Sequence, residues 1–291
     1  MNNELNTLIS LLDDTDGEVY KAVTHELLKQ GLGVVSQLEK VWEATSDPHL
    51  QVRLENVIHY IQFANTQEKI STWVKNGAIN LLEGASIIAQ IQYPNVNFKT
   101  LKKEVEKIAD DVYLSAGSHL TAIEKVKLLN YVFYELNNFT RNTTNFYSPQ
   151  NSFLNQVLDT RKGNPISLGI LYISIAHHVG LPIYGVNLPK SFILAYINEY
   201  RHVEDADIAN DVLFYINPYN KGAILNRTEI DHFVRQHKLE PLPEYFTPCT
   251  NENIIQRLIL NLMIAYEKMG YEEKGEPLKE LLKAFQDKKI H

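Results

Sequence analysis

The chain has 291 residues, 44% hydrophobic and 22% charged, with a formal net charge of −7. Its acidic and basic residues are interspersed, which excludes the concentrated positive face that a nucleic acid or an anionic membrane surface requires. A single cysteine, Cys249, excludes an intramolecular disulfide and fits a reducing cytoplasm.

The opening stretch, MNNELNTLISLLDD, carries acids where a secretory leader would need basic residues. No run reaches the roughly 20 apolar residues of a membrane helix. The expectation is a soluble, cytoplasmic protein.

The first 75 residues read as helices in pairs. LNTLISLLDD meets an acidic turn and then VYKAVTHELLKQGLG, which keeps Val19, Ala22, Val23, Leu27 and Leu28 on one face. VVSQLEKVWEA, the turn TSDPHL and QVRLENVIHYIQF repeat the arrangement less cleanly. This predicts either a HEAT-like repeat domain or a plain helical domain over 1–75. NLLEGASIIAQIQ, TLKKEVEKIADDVYLSAG and AIEKVKLLNYVFYEL extend the helical pattern to Leu136.

At Asn137 the composition turns to Asn, Thr and Ser, residues that bond their own backbone and favour loops. FLNQVLDTR predicts a short helix, and Pro165 to Val179 an apolar one, entered through Asn164 as N-cap and Pro165 at the first position. LPIYGVNL, SFILAYINEY and DVLFYINPY have strand character. An acidic loop around Val203–Asp211 separates the last two. NIIQRLILNLMIAYEKM and PLKELLKAF predict two closing helices.

A buried helix running into three strands is the order in which papain-like and transglutaminase-like folds deploy Cys, His and Asp. LLEGASIIAQIQYP, YSPQNSFLNQVLDTRKGNPISLGILY, GLPIYGVNLPKSF and INPYNKG resemble the SirB-type branch of the transglutaminase-like superfamily in order and spacing. The resemblance implies an α+β fold: a buried helix against an antiparallel sheet over 76–246, flanked by helical repeat-like regions. It also implies a tetratricopeptide-like helix pair over 247–291.

Carried over by position, the family's catalytic residues fall on Pro165, Ser191 and Asn217. These three together contain no nucleophile–base pair and no charged orienting group, so no catalytic residue is assigned. The expectation is a vestigial cleft lined by Tyr147, Asn151, Ser152, Pro165, Ser167, Ser191 and Asn217, with Ser191 and Asn217 satisfying each other or nearby backbone.

Such a cleft suits a protein- or peptide-binding scaffold, its ligand held against a strand edge. The resemblance also implies a regulatory association in some bacteria. The alternatives are a hydrolase or amidotransferase using Ser167 or Cys249, and a small-molecule site in the cleft. His177 and His178 are adjacent on a helix and point about 100° apart, so they cannot share a metal. No metal, cofactor, nucleic acid or membrane partner is expected.

Overall fold

The computed structural model describes residues 2–115, 119–198 and 211–286; the acidic loop therefore lies, apart from Asp211, outside the described residues. Two compact units divide the chain, 1–72 and 73–291.

The first unit is built from α1 (Asn2–Leu11), α2 (Gly17–Gln30), α3 (Val35–Ala44) and most of α4 (Pro48–Lys75). Asp16 starts α2 by accepting from the Glu18 N–H at 2.8 Å. Leu12, Leu27, Leu38, Leu54 and Val57 form a fully buried core. Arg53 ties α4 to the turn between α1 and α2, donating to the Leu12 carbonyl at 2.6 Å and lying 4.7 Å over the Tyr20 ring. Helix α4 runs a dozen residues past its sequence pattern, because no Gly or Pro interrupts the chain before Gly77.

The second unit surrounds α9 (Pro165–His178), whose residues Ile166, Leu168, Ile170, Leu171, Tyr172, Ile173, Ile175 and Ala176 are all buried. Helices α5 (Leu81–Ala89), α6 (Phe98–Ser115), α8 (Leu154–Thr160) and α11 (Asn251–Lys268) pack against it. Helix α7 (Ala122–Asn130) continues as a π-helical turn over Tyr131–Leu136, and α12 (Glu276–Lys283) packs on α11.

The strands β3 (Ile183–Val186), β4 (Ile193–Ile197), β5 (Val212–Asn217) and β6 (Ala223–Leu225) form one antiparallel sheet in sequence order. Leu194 pairs with Gly185 on one side and with Ile216 on the other. All five residues of β4 are buried, because α9 covers one face of the sheet while Ile230 and Val234 of α10 (Arg227–Gln236) cover the other. This two-sided burial explains why SFILAYI reads as a continuous apolar run rather than an alternating one.

A short parallel pair, β1 (Thr140–Arg141) and β2 (Lys162–Gly163), leads into α9. No described helix is long and apolar enough to cross a membrane. The architecture is α+β, with the antiparallel sheet and buried helix expected from the sequence.

Candidate functional site

Phe192, just ahead of β4, sets the distance between helix and sheet. A Cβ at Gly169 would lie 2.6 Å from the Phe192 ring, and one at Gly185 would lie 2.7 Å from it. Only glycine at both positions lets the ring slot between α9 and β3. Burying such a ring contributes about 1.5–3 kcal/mol. The slot carries the Pro189–Ser191 turn to the start of α9, and a cleft of about 160 Å³ opens between them.

One wall of the cleft is the loop Phe146–Ser148 with Ser152; the floor is Asn164 and Pro165. Lys190, Ser191 and Phe192 form a second wall, and Arg257, Asn261, Ile264 and Ala265 of α11 close the site. Phe146, Tyr147 and Ile264 are exposed at its rim.

Asn164 organises the floor. Its Oδ1 accepts from the N–H groups of Ile166 at 3.1 Å and Ser167 at 2.9 Å, and its Nδ2 donates to Ser152 Oγ at 2.9 Å. Both free amides at the helix start are thereby engaged, and Pro165 has no N–H to offer.

Arg257 organises the second wall. Its guanidinium donates to the Asn187 side chain, and to the carbonyls of Leu188 and Ser191 at 2.8 Å each. Burial lowers its pKa, and no carboxylate faces it among the described residues.

Of the seven residues expected in the cleft, Tyr147, Ser152, Pro165 and Ser191 line it, while Asn151, Ser167 and Asn217 do not. Asn151 is buried behind the loop. It donates to the Asn145 carbonyl at 2.7 Å and the Phe146 carbonyl at 3.0 Å, and accepts from Asn142 Nδ2 at 2.9 Å.

Ser167 is also fully buried. It donates to the Asn151 carbonyl at 2.6 Å and accepts from the Asn164 N–H at 3.1 Å, closing a capping box. Asn217 ends β5, where its Oδ1 accepts from Tyr219 N–H at 3.0 Å and Asn220 N–H at 3.2 Å. Of the two expected arrangements Asn217 takes the backbone one, not a bond to Ser191, because the turn after β5 takes its side-chain oxygen.

Cys249 precedes α11, outside the cleft lining, and its N–H donates to the Gly185 carbonyl at 2.8 Å. Burial pushes the thiol pKa up from 9.0 to about 11, opposite to what a nucleophile needs. His177 faces a different groove, with Nε2 2.7 Å from the Ile183 carbonyl and its pKa lowered by burial.

At the outer edge of β3 the Gly185 carbonyl already accepts from Cys249. No cluster of metal-binding side chains occurs among the described residues. Sequence reasoning missed the α11 residues. The available signal was Arg257, a cation set inside the apolar run NIIQRLILNLMIAYE.

A family model described as transglutaminase-like superfamily matches residues 99–260, more than half of the chain. Among curated relatives, the UPF0162 protein of Xylella fastidiosa strain 9a5c is 27% identical over 202 residues, covering 66% of this chain and 67% of that protein. Human F-box only protein 21 is 29% identical over 223 residues, 69% of this chain but 35% of that protein. The chain thus spans about a third of the F-box relatives it matches. No solved structure matches.

Proposed function

Because the chain belongs to the transglutaminase-like superfamily, we propose that it is a member whose cleft binds rather than reacts: a non-catalytic scaffold that anchors a segment of another protein. One observation carries this reading. Among the described residues the cleft lining contains no cysteine, histidine, aspartate or glutamate, so the Cys–His–Asp chemistry of the family has no counterpart there, and Lys190 is the one side chain in it that could act as a base. The proposed assignment of the family's three catalytic positions to Pro165, Ser191 and Asn217 agrees with that chemistry.

Size supports a protein ligand over a cofactor. A space of about 160 Å³ falls below the roughly 300–1,000 Å³ of sites that enclose a drug-sized ligand. It suits one anchoring residue of an extended peptide, with Phe146, Tyr147 and Ile264 as an apolar rim. In this reading the N-terminal helices are HEAT-like and α11–α12 form a tetratricopeptide-like pair in a SirB-type protein. The proposed domains run over 1–75, 76–246 and 247–291, and each helical region offers a protein-binding surface of its own. The single cysteine supports a cytoplasmic setting. The recurrence of the matched region inside longer proteins supports a portable module.

The test is selection of displayed peptides on the full chain, repeated on Tyr147→Ala and Ile264→Asp variants, with fluorophosphonate and haloacetamide probes on the same samples. The reading expects peptides that bind the wild type and lose at least about tenfold in affinity on the variants, roughly 1.4 kcal/mol. Stoichiometric probe labelling at a cleft serine would overturn it, as would selected peptides indifferent to both substitutions.

A further inference from the structure

The cleft has positive charge without a counter-charge among the described residues, beside a buried hydroxyl whose proton has no acceptor. Ser152 is 1% exposed; its oxygen accepts from Asn164 Nδ2 at 2.9 Å, and its own proton meets no acceptor among the described residues. A buried hydroxyl proton left unpaired is destabilising, and here it borders an open cleft.

Two cations stand nearby. Arg257 is compensated only by neutral oxygens, and Lys190 has no ion pair among the described residues. Arg257 is partly buried, and buried charge is ordinarily paired or coordinated; Lys190 is exposed and free to reach a ligand. The side chains of Ser191 and Asn261 add groups that can donate or accept and that have no partner among the described residues. The helix start contributes little, since Asn164 already holds its amides.

We infer that the cleft recognises a carboxylate presented by a peptide, seated between Lys190, Arg257 and the Ser152 hydroxyl, with the neighbouring residue's apolar side chain against Tyr147 and Ile264. This rests on the reading of the cleft as a peptide anchor and gives that anchor its chemistry. Charge-assisted bonds of this kind are roughly twice as strong as neutral ones. Tyr147 is 47% exposed and Ile264 46%, which leaves an apolar shelf beside the cations. A chain-terminal carboxylate and an Asp or Glu side chain share the chemistry.

Amide-resolved NMR of the full chain tests this with four probes: N-acetyl-phenylalanine, its amide, N-acetyl-Phe-Glu-amide and inorganic phosphate. The expected result is that a carboxylate probe shifts the resonances of 146–152, 188–192 and 257–265, with the amide at least about tenfold weaker. Preference for N-acetyl-phenylalanine supports a terminal carboxylate; preference for N-acetyl-Phe-Glu-amide supports an acidic side chain.

Arg257→Gln loosens the turn it holds and Ser152→Ala also takes the acceptor from Asn164 Nδ2, so Lys190→Gln, checked for an unchanged melting temperature, carries the test, with Ser152→Ala read only where it stays folded. Each is expected to weaken the carboxylate probe several-fold and to leave the amide unaffected. Equal binding of acid and amide overturns the carboxylate inference while leaving peptide binding standing. So do selected peptides that bind the cleft without an acidic group. Phosphate binding as tightly as either carboxylate overturns the assignment to a peptide acid. Failure of both the carboxylate probes and the displayed peptides overturns the inference and the scaffold reading together.

Discussion

Asn130 and Gly222 are locked face to face: Asn130 Nδ2 donates to the Gly222 carbonyl at 2.9 Å, and a Cβ at Gly222 would lie 1.8 Å from Asn130 Oδ1. That same Oδ1 accepts from the buried Tyr172 hydroxyl at 2.8 Å, while Tyr134 donates to the Pro218 carbonyl at 2.8 Å. The turn between β5 and β6 is therefore pinned to α7 and to the centre of α9.

Gly222→Ala is expected to cost about 3 kcal/mol, because it combines strain at φ +67° with this clash. Asn130→Ala removes the clashing oxygen, so the double variant should lose less than the two single losses added together. Urea melts of the four proteins check the relationship, and strict additivity would count against it.

Ser167 is a structural hydroxyl and its removal should be felt in stability. Ser167→Ala breaks the bond to the Asn151 carbonyl and opens the capping box, at a cost of about 1–2 kcal/mol. Peptide or carboxylate binding in the cleft should persist at temperatures where the variant stays folded. Loss of binding with no loss of stability would place Ser167 in the site after all.

Cys249 should behave as a protected thiol. With its pKa near 11, the thiolate fraction at pH 8 is on the order of one in a thousand. Haloacetamide alkylation of the folded chain should be slow at pH 8 and accelerate as pH approaches 11. The linkage has a definite sign. The thiol's raised folded pKa holds its full stabilising effect below 9.0, and that effect is lost as pH rises from 9.0 towards 11. Cys249→Ala should flatten that part of the stability curve.

His177 gives the opposite slope. Its pKa is held below 6.5 by burial, so the unfolded chain takes up a proton first as pH falls. Stability is complete above pH 6.5 and declines as the pH falls below it. His177→Gln should lower the plateau and flatten the acid side, readable in thermal melts between pH 7 and pH 5. An unchanged acid slope would show that other groups dominate it.

Much of the second unit was legible because its signals are local. Asn-Pro marks the start of α9, and the β-branched and aromatic runs mark β3, β4 and β5. Strand β6 was not legible. It has three half-buried residues, and its place depends on the contact of Gly222 with Asn130, 92 positions away in sequence.

The site was legible only in part, for a related reason. Matching of positions puts Asn217 beside Ser191, but the direction of its side chain is set by the turn that its oxygen closes. Arg257 could be seen as unusual in an apolar helix. Its contact with the Ser191 carbonyl depends on how α11 packs, which no local pattern encodes.

The engagement of Asn164 bears on any attempt to engineer reactivity into this chain. A thiol introduced by Pro165→Cys would sit beside two amides already claimed by the Asn164 side chain, so the helix end has few free dipoles left to hold a thiolate. Converting the binder into a catalyst therefore begins at Asn164, a residue that carries no chemistry of its own.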